Sequence, residues 1–136
     1  MTLVKHIAAL QILIPLFAAL TSALSFNRKA SWFIASSSTA ASLILAVYAI
    51  PYAREGISYT FGGFEAPFGI EYRLDMLNQP IIVFINAVLL FFLLFGKELI
   101  NVTITSFVDE NRQHIFYSLI LFAHVGYLGV ISTNDL

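Results

Sequence analysis

Long apolar runs alternate with short polar links along this chain. The first run, Ile7 to Leu24, is broken only by Gln11, Thr21 and Ser22 and contains Pro15. The second, Trp32 to Tyr52, carries the polar stretch Ser36-Ser37-Ser38-Thr39 near its start. The third extends from Met76 to Ile100, and its centre, Ile81 to Phe95, holds a single polar residue, Asn86. The fourth, Ile115 to Ile131, encloses His124. A hydrocarbon core about 30 Å thick takes about 20 helical residues at ~1.5 Å each, and all four runs approach that length. None confines its apolar residues to one stripe, as a helix on a water-soluble core does. The pattern predicts an all-α integral membrane protein with one membrane domain. Its four transmembrane helices lie at about 6–25, 32–52, 76–100 and 114–133.

The links differ in character. The segment from Ser25 to Ser31 is short and holds Arg28 and Lys29. The segment from Asn101 to His114 is polar, with Asp109, Glu110 and Arg112. Between helices two and three lies the one long connection, 53–75. It is punctuated by Gly56, Gly62, Gly63, Pro67 and Gly69 and alternates apolar with polar residues from Gly69 to Leu74. Such a segment predicts a short β-hairpin outside the lipid, because non-helical backbone exposed to hydrocarbon leaves its N–H and C=O groups unpaired. The first and third links share one side with Arg28, Lys29, Lys97 and Arg112, against Lys5, Arg54 and Arg73 on the other. The positive-inside rule then places both termini and the long loop outside a multi-pass inner (cell) membrane protein. Tyr48, Tyr52, Phe116, Tyr117 and Tyr127 fall near helix ends, where interfacial aromatics belong. The first run reads as a retained helix, since no small-x-small cleavage site leads into a soluble domain.

Composition agrees with this class. The 136 residues are 59% hydrophobic and 11% charged, against ~45–50% and ~25% in soluble domains. A formal net charge of −1 gives no basic surplus to attract nucleic acid. The absence of cysteine excludes disulfides, thiolate metal sites and cysteine nucleophiles. The helices share no internal repeat.

Candidate chemistry is sparse. An ionisable group inside a membrane is a functional suspect, and His124 is the one deep example. Histidine can relay protons; it can equally sit neutral, hydrogen-bonded to a neighbouring helix. Lys97 and Glu98, following Gly96, read either as the mouth of a half-channel or as an interfacial stop with a snorkelling lysine. Asn86 fits interhelical hydrogen bonding better than an ion path. Pro15 and Pro80 are kink candidates, Pro80 in a first turn where proline is tolerated. His6 and His114 mark helix ends, and His114 reads as a solvated boundary residue. Asn101-Val102-Thr103 matches a glycosylation pattern but falls in a link assigned to the cytoplasm. The sequence contains no phosphate-binding loop, catalytic triad or dinucleotide fingerprint, so the reading is a non-enzyme with no cofactor and no metal site.

One segment is more specific. The run Gly62-Gly63-Phe64-Glu65-Ala66-Pro67-Phe68-Gly69-Ile70-Glu71-Tyr72-Arg73-Leu74-Asp75-Met76-Leu77 resembles the loop between the second and third helices of the antiporter-like membrane subunits. These are the D subunit of Mrp-type multisubunit sodium/proton antiporters and the related subunits of respiratory complex I. In that family a glycine-rich segment, Pro-x-Gly-Ile and then Asp-x-Leu-Ser lead into the third helix. Gly63, Pro67, Gly69 and Asp75 fall on the motif, while Asn78 stands in place of the serine. The Pro67-Phe68-Gly69-Ile70 form is closer to Mrp D, and Gly129 to Leu136 is similar to the stretch before the family's fifth helix. The resemblance implies an N-terminal scaffold of a monovalent cation/proton antiporter subunit. The family's intramembrane glutamate and lysine would lie on helices beyond Leu136, as in a truncated or split subunit. Implied partners are the lipid bilayer, other antiporter-complex membrane subunits and a complementing C-terminal fragment. His124 and Lys97 match no proton-path motif of the family. Two other readings stand beside this one. The first is a fragment of a proton-pumping NADH-quinone oxidoreductase membrane subunit. The second is a four-helix interaction module or gene remnant without transport activity.

Overall fold

A computed structural model describes residues 2–60 and 71–133, with side chains described from residue 6 onward. The motif positions Gly63, Pro67 and Gly69 lie outside the described residues; Asp75 lies within them. In chain order the elements are α1 (Thr2–Leu24), α2 (Arg28–Ala53), β1 (Ile57–Thr60), β2 (Glu71–Leu74), α3 (Asn78–Phe95), α4 (Lys97–Phe107), a single 3-10 turn (Glu110–Arg112) and α5 (Gln113–Ser132). Four segments are long and apolar enough to cross a membrane: His6–Leu24, Arg28–Ala53, Asn78–Phe95 and Glu110–Ser132. The remaining α-helix, α4, has 11 residues, a length of ~16 Å at ~1.5 Å per residue, which is too short.

The third apolar run is thus two helices rather than one reaching 100. Its break is at Gly96, whose N–H still donates to the Phe92 carbonyl at 2.9 Å. A Cβ at Gly96 would sit 2.5 Å from that same carbonyl oxygen, so the corner is built for glycine. The polar link after residue 100 is also largely helical. It continues as α4, which buries Ile100 and Ile104 and exposes Leu99, Val102 and Phe107.

The buried face of α2 is made of small residues and its outer face of large ones. Along α2 the buried positions include Ser31, Ala35, Ser38, Thr39, Ser42, Ala46, Ala49 and Ala53, while Phe33, Ile44, Val47, Tyr48 and Ile50 point outward. Small residues let helix backbones approach closely, and several donate directly to a neighbour's backbone. Ser42 Oγ donates to the Gln11 carbonyl at 3.0 Å and Ser31 Oγ to the Ser22 carbonyl at 3.1 Å, which joins α2 to α1. Ser118 Oγ donates to the Ala19 carbonyl at 2.8 Å, which joins α5 to α1. Trp32 Nε1 donates to the Leu93 carbonyl at 2.8 Å, and Gln79 Nε2 donates to the Ala46 carbonyl at 2.6 Å, which joins α2 and α3. A helical carbonyl has a second lone pair free for such a bond.

The tight α1–α2 turn places Phe26 at φ 48. Asn27 then caps α2, its Oδ1 accepting from the N–H groups of Lys29 and Ala30 at 2.9 and 3.3 Å. At the opposite end β1 and β2 form an antiparallel two-stranded sheet with Ile57 opposite Leu74 and Tyr59 opposite Tyr72. Ile57 and Leu74 are buried against Ile7, Ala8, Ile12, Ala46, Ala49, Ile82 and Leu128, so one face of the hairpin plugs that end of the bundle. Tyr72 forms a bridge to Thr133 just beyond α5. A second buried cluster, including Ala18, Ala35, Leu93, Ile104, Tyr117 and Leu121, fills the other end.

Candidate functional site

Asn86 and His124 meet in the middle of the bundle. Asn86 lies near the centre of α3 and is 0% exposed; His124 lies in α5 and is 3% exposed. His124 Nε2 is 3.0 Å from Asn86 Oδ1. The Asn86 amide is oriented by its other end, where Nδ2 donates to the Ile82 carbonyl at 2.9 Å. An acceptor oxygen therefore faces the imidazole, and His124 donates from Nε2. Of the two readings of His124, the structure contains the interhelical hydrogen bond. No carboxylate, lysine or arginine is buried among the described residues, so none accompanies the pair inside the bundle.

A cleft of about 430 Å³ opens between α3 and α5 beside this pair. Phe84, Val88, Phe92, Ile120 and Tyr127 form its walls, and His124 contributes to its lining. Chemically the cleft is an apolar groove with one imidazole at its edge.

The other candidate residues are dispersed. Lys97 and Glu98 open α4 rather than closing α3. Lys97 Nζ lies 3.8 Å from the centroid of the Trp32 ring, a cation–π contact, and Glu98 is exposed. Asp75 is a capping residue. Its Oδ1 accepts from the N–H groups of Leu77 and Asn78 at 2.9 and 3.0 Å, and Asn78 Oδ1 accepts from the Asp75 N–H at 2.8 Å. Those bonds, Asn78 first and then Leu77, hold the Asp75 carboxyl below its ordinary range, with the Arg73 charge adding to the effect. Asn78 Nδ2 also donates to the Arg73 carbonyl. The residue at the motif's serine position thus ties the hairpin to the start of α3.

His114 is not a solvated boundary residue. It is buried, with its ring 5.2 Å from that of Phe26, because the α1–α2 turn packs over the start of α5. Next to it Gln113 accepts from Arg28 Nη1 at 2.8 Å. Sequence reasoning noted Gln11 only as a break in the first run and left Gln79 unremarked. Both are buried, and both polar atoms of the Gln11 amide, with Oε1 of Gln79, have no hydrogen-bond partner among the described residues. Their signal was a glutamine inside or at the mouth of an apolar run.

No protein-family model matches the chain, and none of the curated proteins compared with it matches either.

Proposed function

We propose that this chain is a multi-pass membrane scaffold unit of a monovalent cation/proton antiporter subunit of the Mrp D type. In this reading it builds the protein surface against which proton-moving helices and neighbouring subunits assemble, and does not itself move protons. One observation carries the scaffold part: among the described residues every buried polar side chain is neutral or a histidine, and the deep histidine is engaged by Asn86. A proton path through a bilayer needs a succession of ionisable groups or water-lined cavities, whereas these side chains mostly bond neighbouring helices or their own backbone. The antiporter part rests on the resemblance of Gly62 to Leu77 to the family loop, supported by a hairpin between the second and third long helices.

The test is affinity purification of the tagged chain from native membranes. The expected result is recovery with membrane subunits that carry intramembrane glutamate and lysine. Recovery with quinone-reducing redox subunits, or of the chain alone, would overturn the antiporter assignment. In a cell lacking sodium/proton antiporters, restored sodium resistance from this chain alone would overturn the scaffold assignment.

A further inference from the structure

At the end of the bundle opposite the hairpin, α2, α4 and α5 enclose a second pocket of about 310 Å³. Arg28, Lys29 and Lys97 all line it, with Asn101 beside them and Trp32 and Tyr117 as aromatic walls. Among the described residues no carboxylate lines it. Three cations of one sign converge on a concave site, where low-dielectric walls strengthen their common field. Two of them are held in place. Arg28 is fixed by its bond to Gln113 and Lys97 by its contact with Trp32. The site also receives the first turn of α2, whose partial positive charge has the same sign. An anion seated in the pocket would meet all three positive side chains at once.

We propose that this pocket seats the phosphate of an anionic phospholipid from the leaflet at that end of the bundle. The volume argues for a phosphodiester with organic flanks over a bare ion, since one water takes only ~30 Å³ of liquid volume. The surroundings argue for a lipid. Phe33 lines the pocket and is 66% exposed, and Phe95, Leu99 and Val102 nearby in sequence to Lys97 are exposed too. An acyl chain leaving the headgroup therefore meets apolar side chains. α4, too short to span, has the exposed apolar positions of a helix lying in the interface. Basic pockets between membrane helices are a known way to hold anionic headgroups. The proposal needs the chain to sit in a membrane, but it is independent of the antiporter assignment, and its failure leaves that assignment standing.

Trp32 is the one tryptophan of the chain and reports from the pocket itself. The full chain in non-ionic detergent is titrated with short-chain phosphatidylglycerol, with phosphatidylcholine of the same chain length, and with inorganic phosphate, reading Trp32 emission. The expected result is a saturable change with phosphatidylglycerol alone. Lys29→Gln removes an exposed side chain with no bond to the bundle and leaves the fold intact. It should raise the midpoint about fivefold, the factor that ~1 kcal/mol per basic residue near an anionic surface represents. Arg28→Gln should raise it at least as much, while Arg54→Gln at the far end should leave it unchanged. An equal response to phosphatidylcholine, saturation by inorganic phosphate in the same range, or an unshifted midpoint in Lys29→Gln would each overturn the proposal.

Discussion

The Asn86–His124 contact allows a sharp test of whether the deep polar residues hold helices together. Replacing His124 by leucine leaves Asn86 Oδ1 buried without its donor, since Nδ2 remains on the Ile82 carbonyl. Replacing Asn86 by leucine strands the His124 Nε2–H instead. Each single substitution leaves one buried group unsatisfied, a cost of about 1–3 kcal/mol in soluble proteins. Inside a membrane the unfolded reference also finds partners, and measured interhelical bonds average ~0.6 and reach ~1.7 kcal/mol. Both residues are almost fully buried, so a coupling of about 1 kcal/mol, within that membrane range, is expected. The double variant Asn86→Leu/His124→Leu removes donor and acceptor together, and such paired replacement by apolar groups is nearly neutral. The prediction is therefore an order: each single variant is less stable than the native chain, and the double variant is more stable than either single. Unfolding of the purified chain in mixed micelles with increasing denaturing detergent measures all four. Strictly additive losses, with the double variant the least stable, would refute the hydrogen bond as an interhelical tie.

Three further outcomes follow from the packing. Gly96→Ala places a methyl carbon against the Phe92 carbonyl and should cost about 1–3 kcal/mol as an overpacking strain; an unchanged micelle unfolding curve would remove the built corner between α3 and α4. Asp75→Ala should cost about 0.5–2 kcal/mol, the usual worth of a helix-start cap. Because the folded carboxyl titrates below its ordinary value, its contribution is present above the unfolded pKa of ~3.9 and is lost as pH falls through the lower folded value. Stability curves of the native chain and Asp75→Ala should therefore converge in acid, and a constant gap down to the lowest pH would contradict the assigned bonds. Within α2, Ser42→Ala loses one bond to the Gln11 carbonyl, about 0.6 kcal/mol, whereas Ala46→Leu forces a large side chain into a fully buried contact and should cost about 1–3 kcal/mol; the reverse ranking in the same assay would show hydrogen bonding, not close approach, to dominate this interface.

The four helices long and apolar enough to cross a membrane were legible because continuous apolar runs of that length have few other uses, and the hairpin because glycine and alternation punctuate the long loop. The split of the third run was hidden, since Lys97 and Glu98 after Gly96 read as the polar end of one helix and not as the start of the next. Only the crowding of the Phe92 carbonyl marks the corner. The helical nature of the following link was hidden for the opposite reason: its polar residues masked the paired Ile100 and Ile104. His114 was misjudged because burial there comes from the α1–α2 turn, a contact between residues far apart in sequence. Arg28, Lys29 and Lys97 likewise read as separate link charges, and only the fold brings them around Trp32. The small-residue stripe of α2 was present in the sequence from Ser31 to Ala53, but only its serine-rich part drew notice.

That stripe changes what the polar residues mean. In a soluble bundle a buried serine or threonine opposes the apolar core that drives folding. Here the outward faces are apolar too, and between helices surrounded by lipid the hydrophobic effect does little to choose which faces meet. Size and hydrogen-bonding capacity decide instead. Ser42, Ser118 and Trp32 donate to carbonyls of a neighbouring helix, and Ala35, Ala46 and Ala49 leave room for the backbones to come close. Asn86 and His124 belong to the same set: they tie α3 to α5 where the cleft keeps those helices from packing side by side. Polarity in this interior is thus accounted for largely by helix association. Association does not explain the amide of Gln11, unpaired among the described residues, nor the placing of Arg28, Lys29 and Lys97 around one pocket, on which the proposed lipid site rests.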